Sequence, residues 1–236
     1  MALVHSPSIV TSGLVLCLDA ANRKSYPSPF TGTTWTDLSG NGNNGTLENG
    51  VVYSSENGGS LVFDTSDEYV RVPSSQVTPG KNAFTWNFWC KLNDLTNFSI
   101  LLSGEGSNNT DWGVIFLDPR SGGGLGYYAG STLIDDNNPS FGSNWWYVSF
   151  VGSGGADGSR NLKLYRNAVQ AGNTGTPNGS SYNFKGGSPT RIIGANHSSY
   201  SEIMRGNISN VSYYNRALTA TEIQQNFNAT KSRYGL

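Results

Sequence analysis

The chain has 236 residues, of which 36% are hydrophobic and 12% aromatic, a composition that supports a buried core and excludes a disordered chain. The formal net charge is −1 and the 15 lysines and arginines are scattered, whereas nucleic-acid binding needs a clustered basic face. No apolar run approaches the roughly 20 residues that cross a bilayer. We therefore expect one globular domain over residues 1–236, with neither nucleic acid nor a membrane as its partner.

Short β-prone runs recur along the chain, and turn residues separate them. The predicted strands are 14–18, 60–64, 69–72, 84–89, 98–102, 112–117, 145–151, 162–165, 191–193 and 208–214. Glycine-rich turns such as Gly122-Gly123-Gly124 lie between them, and the 30 glycines of the chain fit many tight turns. This spacing of short strands predicts an all-β sandwich or barrel.

One helix is predicted near the C-terminus. The segment 219–222 is a capping box, in which the first hydroxyl accepts from the fourth backbone N–H and the fourth side chain reaches back. Leu218 and Ile223 stand at the two positions of a hydrophobic staple, and Ile223 and Phe227 give one apolar stripe. The helix should extend to about Thr230 and pack on the sandwich.

The sequence contains fragments of enzyme motifs, but each lacks the neighbouring residues that the motif needs. The segment 40–45 matches G-x-G-x-x-G, but no helical pattern follows it, which predicts a tight surface loop and not a dinucleotide site. The two histidines, His5 and His197, are not accompanied by a G-x-S-x-G elbow. Cys17 and Cys90 are interpreted as small buried apolar side chains, and whether they pair is left open.

Glycoside hydrolysis needs two carboxylates held about 5–10 Å apart across the scissile bond. On a strand, residues i and i+2 share a face, so an alternating acidic string would be the cue, and none occurs. The acidic pairs 67–68 and 135–136 are adjacent in predicted turns, where neighbouring side chains diverge. The chain is therefore predicted not to be an enzyme, and a glycoside hydrolase with unrecognised carboxylates is kept as an alternative.

Calcium is the one metal that the sequence leaves open, and no other cofactor is expected. Hard cations take several oxygen ligands, and Asp, Asn and turn carbonyls are abundant here. The candidate ligands are Asp111 beside Asn109, Glu202 with Asn196, and the turn 64–67. Turn-forming Asp and Asn are the alternative interpretation at each of these loops.

Loop aromatics can stack on the apolar faces of sugar rings. The candidate ligand-binding residues lie near glycine-rich or polar stretches, and they are Tyr127, Tyr128, His197 and Tyr200, with Tyr182 as a further rim residue. The tryptophans at 86, 89, 145 and 146 lie inside strand patterns and are predicted to be core, at least one of each pair being buried.

Several ordered segments together carry a family pattern. They include Trp35-Thr36-Asp37-Leu38-Ser39-Gly40, Ser60-Leu61-Val62-Phe63-Asp64, Trp146-Tyr147-Val148, Leu164-Tyr165-Arg166-Asn167 and Gly206-Asn207-Ile208-Ser209. Together they resemble the laminin G-like domains of the concanavalin A-like lectin/glucanase superfamily over nearly the whole chain. The resemblance implies a two-sheet antiparallel jelly-roll sandwich with one short C-terminal helix, and it says little about activity.

The related pentraxins bind calcium through two acidic loops, which would fall near 109–111 and 195–202 in this chain. This chain has an acidic residue in each of the two segments, Asp111 in the first and Glu202 in the second. The second loop, however, carries Asn196-His197-Ser198 where an acidic cluster would be expected. This departure argues against a pentraxin-like double calcium site.

The C-terminal segment 214–235 resembles virion proteins of tailed bacteriophages, especially those of marine and cyanobacterial hosts. The resemblance implies a virion surface protein, either a capsid decoration protein or a tail or fibre component. Its partners would be other virion proteins, copies of itself or a host surface glycan. Such proteins assemble in the host cytoplasm, and the segment 1–7 does not have the pattern of a signal peptide. A stand-alone carbohydrate-binding, lectin-like module is the alternative.

Overall fold

The computed structural model shows two antiparallel β-sheets that pack face to face as a sandwich. It describes residues 8–27, 31–65, 67–73, 75–77, 83–104, 113–129, 132–153, 161–175, 190–196 and 202–236. The predicted all-β sandwich with one short C-terminal helix is confirmed. In the described ranges no helix is long and apolar enough to cross a membrane.

Sixteen strands build the two sheets within the described residues. In chain order they are β1 (Leu14–Asp19), β2 (Thr34–Trp35), β3 (Gly45–Glu48), β4 (Val52–Ser54), β5 (Ser60–Phe63), β6 (Tyr69–Pro73), β7 (Phe84–Leu92), β8 (Ser99–Gly104), β9 (Gly113–Leu117), β10 (Leu125–Ala129), β11 (Thr132–Asp135), β12 (Trp145–Gly152), β13 (Leu162–Arg166), β14 (Val169–Gly175), β15 (Thr190–Ile193) and β16 (Gly206–Tyr214). Every predicted strand overlaps one of these, and β2, β3, β4, β10, β11 and β14 were not predicted.

The strand order separates the chain into two layers, which we call sheet A and sheet B. Sheet A runs β14-β13-β12-β7-β16-β5-β4, with β1 also paired to β16. Sheet B runs β11-β10-β9-β8-β15-β6-β3-β2. Half of the neighbouring strands are consecutive in the chain, whereas others, such as β7 with β16 and β8 with β15, come from distant parts of the sequence, so residues that are far apart in the chain meet on one face.

The core lies between the sheets and follows the period of two along each strand. On β7, Trp86 and Phe88 point into the core, whereas Trp89 points to the outer face of sheet A. On β9 of sheet B, Ile115 and Leu117 point into the same core. Trp86, Trp89 and Trp145 are buried and Trp146 is half-buried, which confirms the prediction for the strand tryptophans.

The C-terminal helix α1 (Ala220–Thr230) covers the outer face of sheet A. Its capping box is confirmed, because Thr219 Oγ1 accepts from the Glu222 N–H at 3.2 Å and Glu222 Oε2 accepts from the Thr219 N–H at 2.9 Å. Ile223 is fully buried, and the Phe227 ring stacks on Trp89 with centroids 5.7 Å apart. A cap and an apolar stripe thus place the helix where the sequence predicted it.

The loop predicted over 40–45 covers the edge of β1, where side chains take the place of a neighbouring strand. The buried Asp37 carboxylate accepts hydrogen bonds from the backbone N–H groups of Cys17 (2.9 Å) and Asn43 (3.0 Å). The Asn43 side chain in turn donates to the carbonyl of Val15 (2.8 Å). The loop leads into strand β3 and not into a helix, so the glycines serve a tight turn that satisfies an exposed strand edge.

The two cysteines are buried, as predicted, and they do not pair with each other, which answers the question that the sequence left open. Cys90 belongs to the core between the sheets, whereas Cys17 lines a slot between β1 and α1 on the outer side of sheet A. Burial raises the pKa of the Cys17 thiol to about 12 and also raises the pKa of the Cys90 thiol. Both thiols are therefore held in the unreactive protonated form.

Candidate functional site

A groove on the outer face of sheet B brings aromatic and polar side chains together. We call it the sheet B groove, and its volume is about 280 Å³. Its apolar part is formed by Phe98, Val114, Phe116 and Leu133, and its polar part by Asp118, Asp135, Asn196 and Glu202. A concave site with an apolar floor and a few converging polar groups has the general character of a small-ligand site.

The floor of the groove consists of residues that alternate with core residues along β9. Val114 and Phe116 point outward because Ile115 and Leu117 point into the core. The Phe116 ring lies over Gly126 on β10, where an added Cβ would stand 2.2 Å from the ring. The Phe98 ring lies against Phe116 with centroids 4.7 Å apart. A glycine across the sheet therefore makes room for the buried Phe116 ring, and the half-buried Phe98 ring packs on it to form an aromatic platform.

The glycine turn between β9 and β10 positions Asp118 at the rim. The Asp118 N–H donates to the Gly124 carbonyl at 2.8 Å, and the Gly123 N–H donates to the Arg120 carbonyl at 2.8 Å. Gly122 has a φ of +80°, and a Cβ on Gly123 would stand 2.5 Å from Asp118 Cγ. The turn therefore needs glycine for its backbone angle and for its close contact with the carboxylate.

The Asp118 carboxylate is held in the ionised form. Arg120 Nε donates to Asp118 Oδ1 at 2.7 Å, and Arg120 NH2 donates to Asp118 Oδ2 at 2.8 Å. This hydrogen bonding lowers the pKa of Asp118 below its usual value. A general acid for glycoside hydrolysis needs the opposite shift, so Asp118 is not suited to that role.

The adjacent acids 135 and 136 diverge, as the sequence predicted. Asp135 lines the sheet B groove. The Asp136 side chain is only 1% exposed and pairs with Arg166 on β13, with NH2 at 2.9 Å from Oδ1. Asp136 Oδ1 also accepts from the Leu125 N–H at 2.9 Å, which fixes the start of β10 beside the groove.

The predicted pair Asn196 and Glu202 does come together. Asn196 Nδ2 donates to Glu202 Oε2 at 2.7 Å, and the Asn196 N–H donates to the Glu202 carbonyl at 2.8 Å. The other predicted calcium ligands, Asp111 and Asn109, lie outside the described residues. Among the residues that are described, no three His, Cys, Asp or Glu side chains are close enough to hold a metal ion. The calcium site stays a prediction.

The prediction of Tyr127 as a rim residue is wrong. Tyr127 lies within strand β10 opposite Ile115, and it points into the core with 1% of its surface exposed. The glycine-rich stretch before it is a hairpin turn, so the strand starts two residues before Tyr127 and not after it. Tyr128 is also in β10 and not in a loop. Beyond the described residues lie the predicted contacts His197 and Tyr200, together with Tyr182 and the side chain of Tyr128.

The acids Asp118, Asp135 and Glu202 share one groove although none is near another in the sequence. The search for alternating acids within a strand could not find them, because the strand order of sheet B brings them together. The phenylalanines of the floor were predicted only as strand residues. The sequence pattern that could have revealed them is a strand that is apolar on both faces, since Phe116 lies on the outer face of β9 while the other face belongs to the core.

A second depression continues the groove past Phe98 and Glu202. It has a volume of about 280 Å³ and is lined also by Asn97, Arg120 and Arg205. Arg205 Nε lies 3.9 Å from Asp94 Oδ2. Hydrogen bonds from Thr96 and Asn97 lower the pKa of Asp94 to about 2, so this acid is also ionised at neutral pH.

Comparison with known proteins gives a family and a fold. A laminin G-type family model, described as concanavalin A-like lectin/glucanases superfamily, matches residues 64–224. No curated protein matches the sequence. Domain 4 of AbnA, an extracellular arabinanase from Geobacillus stearothermophilus solved with arabinotriose, is 19% identical with a TM-score of 0.65, over 90% of this chain and 97% of that one.

Two larger proteins contain a similar domain. Trypanosoma rangeli sialidase is 16% identical with a TM-score of 0.67, over 96% of this chain and 34% of that one. The receptor-binding domain of botulinum neurotoxin C/D mosaic serotype is 14% identical with a TM-score of 0.61, over 92% of this chain and 51% of that one. The chain thus spans about a third of the sialidase, and at these identities the similarity shows the fold alone.

Proposed function

The chain belongs to the laminin G-type family of the concanavalin A-like lectin/glucanase superfamily, and from this premise we propose that it is a non-catalytic module that binds a glycan in the sheet B groove. The observation that carries the proposal is the groove itself. The half-buried Phe98 ring, which packs on the buried Phe116 ring, offers an aromatic surface to the C–H face of a sugar ring. The carboxylate and amide groups around it can accept and donate hydrogen bonds to sugar hydroxyls.

The electrostatics of the groove support binding over hydrolysis. A glycosidase of the usual kind pairs a protonated acid with a second carboxylate. Asp118 is kept ionised by Arg120, and Asp136, the neighbour of Asp135, is committed to Arg166 away from the groove. A glycoside hydrolase is the alternative function. Release of reducing sugar from polysaccharides incubated with the chain would favour it over a binding module.

The experiment is titration of the chain with a panel of short oligosaccharides, followed by NMR shifts or calorimetry. Binding at millimolar sugar or below is expected, and Phe98→Ala should weaken it about fivefold, because an aromatic stacking contact contributes on the order of 1 kcal/mol. Tyr53→Ala is the matched control, since Tyr53 is a half-buried aromatic in a different cavity. Absence of binding to every sugar, or equal binding by Phe98→Ala, would reject the groove as the site.

The biological setting that we propose is the surface of a tailed-bacteriophage virion, as a capsid decoration protein or a tail or fibre component. The resemblance of the segment 214–235 to such virion proteins supports it. There the module would dock on other virion proteins or on copies of itself and present the groove to a host surface glycan. Mass spectrometry of purified virions tests the setting, and absence of the chain from them would refute it while leaving the glycan proposal standing.

A further inference from the structure

The charged side chains that line the sheet B groove and its continuation do not balance. Among the described residues they are the carboxylates of Asp118, Asp135 and Glu202 and the guanidinium groups of Arg120 and Arg205. Arg120 is committed to Asp118 through two hydrogen bonds, and Arg205 lies nearest to Asp94. Three negative groups against two positive ones leave an excess of one negative charge among the described lining residues, and Arg205 is in addition shared with Asp94 outside the lining.

Asp135 and Glu202 are the two lining carboxylates that form no ion pair among the described residues, although the charge of Glu202 acts on Arg120 and contributes to raising the pKa of that arginine. In the part of the chain that the structure describes, neither has a lysine or arginine within 4.0 Å. Asp135 Oδ1 accepts from the Asn137 N–H at 3.1 Å, and Glu202 Oε2 accepts from Asn196. The second oxygen of each carboxylate has no donor among the described residues, so each side chain keeps an acceptor for a ligand that enters the groove.

The position of these two acids relates them to the aromatic platform. Asp135 and Leu133 are two residues apart on β11 and share its outer face, and Leu133 is 55% exposed at the groove. Glu202 lines both the groove and its continuation, as Phe98 does. A ring that rests on Phe98 would therefore have carboxylates beside it. Since no three of the described acids converge on one point, the arrangement suits an extended ligand better than a single ion.

We propose that the sheet B groove selects glycans that carry a free amino group, of the glucosamine type, over their N-acetylated or uronic-acid counterparts. The inference rests on the proposed glycan-binding function and deepens it. A protonated amine donates up to three hydrogen bonds and carries the charge that Asp135 and Glu202 lack as a partner. Acetylation removes this charge, and a sugar carboxylate adds a repulsive one in a groove with a negative excess.

The test compares three oligosaccharides of equal length with the full chain at pH 6 and low salt: one of glucosamine, one of N-acetylglucosamine and one that contains glucuronate. The free-amine oligosaccharide should bind about two- to fivefold more tightly than the acetylated one, the range of exposed ion pairs. The preference should shrink in 0.5 M NaCl, because exposed charges are screened. Asp135→Asn and Glu202→Gln should each reduce it, and Asp67→Asn, an exposed acid of another loop, should not.

The outcomes separate this inference from the function on which it rests. Equal affinity for the amine and the acetylated sugar, or tighter binding of the glucuronate sugar, overturns the inference and keeps the glycan-binding function. Loss of binding in EDTA also overturns it, because the acids would then act through a metal ion. Equal binding of a lysine-rich peptide overturns it as well, since the groove would respond to charge alone. If none of the three sugars binds but other sugars do, the inference fails; if no sugar binds, the proposed function fails with it.

Discussion

Replacing Asp136 with asparagine should destabilise the sandwich strongly, because it removes the charge that neutralises a buried arginine. Arg166 Nε and NH2 contact the two carboxylate oxygens at 2.5 and 2.9 Å, and the two side chains are 7% and 1% exposed. The Arg166 guanidinium also lies 4.0 Å from the ring centroid of Phe141. Asparagine keeps one acceptor oxygen but leaves this cation buried without a counter-charge.

The magnitude follows from the contacts that are lost. Breaking a buried ion pair by neutralising one partner costs about 3–5 kcal/mol, against a total stability of about 5–15 kcal/mol for a domain. Asp136 also accepts from the Leu125 and Asn138 N–H groups, so part of the β9–β10 turn loosens with it. Replacing both partners, with Asp136→Asn and Arg166→Met together, should cost less than the sum of the two single changes, because no charge then stays buried alone.

The assay is equilibrium unfolding in urea, followed by tryptophan fluorescence. Asp135→Asn is the matched control: it is the same substitution one residue earlier, at a half-exposed acid without a cationic partner among the described residues, and it should change stability by less than about 0.5 kcal/mol. A cost below about 1 kcal/mol for Asp136→Asn, or equal costs for the two variants, would show that the pair does not stabilise the fold as argued. If Asp136→Asn fails to fold at all, the double variant still decides the question by recovering a folded protein.

Three further predictions concern the cap, the thiols and the edge of β1. Thr219→Ala should lower the free energy of unfolding in urea by about 0.5–2 kcal/mol. Arg216 holds the pKa of Glu222 at about 2, below its usual 4.5, so the ionised side chain stabilises the fold above pH 4.5 and loses this effect as it is protonated at lower pH. The loss of stability caused by Glu222→Gln should therefore shrink as the pH falls from 5 towards 2. A thiol reagent should leave Cys17 and Cys90 unmodified in the native chain and label both in denaturant; rapid native labelling would contradict their burial. Asp37→Ala should cost about 1.5–3 kcal/mol and promote self-association on gel filtration, since Asp37 caps the β1 edge.

The strands that the sequence predicts are those with strong apolar signals. β7, β12 and β16 lie centrally in sheet A and are buried on both faces, so their apolar and aromatic content is dense. The missed strands are short or rich in glycine and polar residues, as in β3 (Gly45–Glu48) and β14 (Val169–Gly175). Such segments become strands because a neighbour pairs with them, and no local propensity records that pairing.

The groove was harder to predict than the fold for a related reason. The capping box and the adjacent acids 135–136 are local patterns, and both behave as local reasoning expects. Asp118, Asp135 and Glu202 meet only because β9, β10 and β11 are consecutive at one edge of sheet B and the segment after β15 folds towards them. The prediction for Tyr127 was wrong because a shift of one residue along a strand moves a side chain from the surface to the core. The glycine content of the preceding turn does not determine that register.

The two outer faces of the sandwich differ, and the difference supports placing the proposed ligand site on sheet B. On sheet A the outward side chains Trp89, Tyr147 and Tyr214 are large, and α1 covers them with Ile223 and Phe227 to form a second core. On sheet B the outward apolar cluster around Phe116 is smaller and is bordered by acids and amides. An apolar face that a helix of the same chain covers needs no polar groups at its border. A face that receives a sugar needs an apolar surface and polar groups next to each other. The mixture of aromatic floor and charged border is therefore the feature by which the proposed binding face differs from the face that α1 covers.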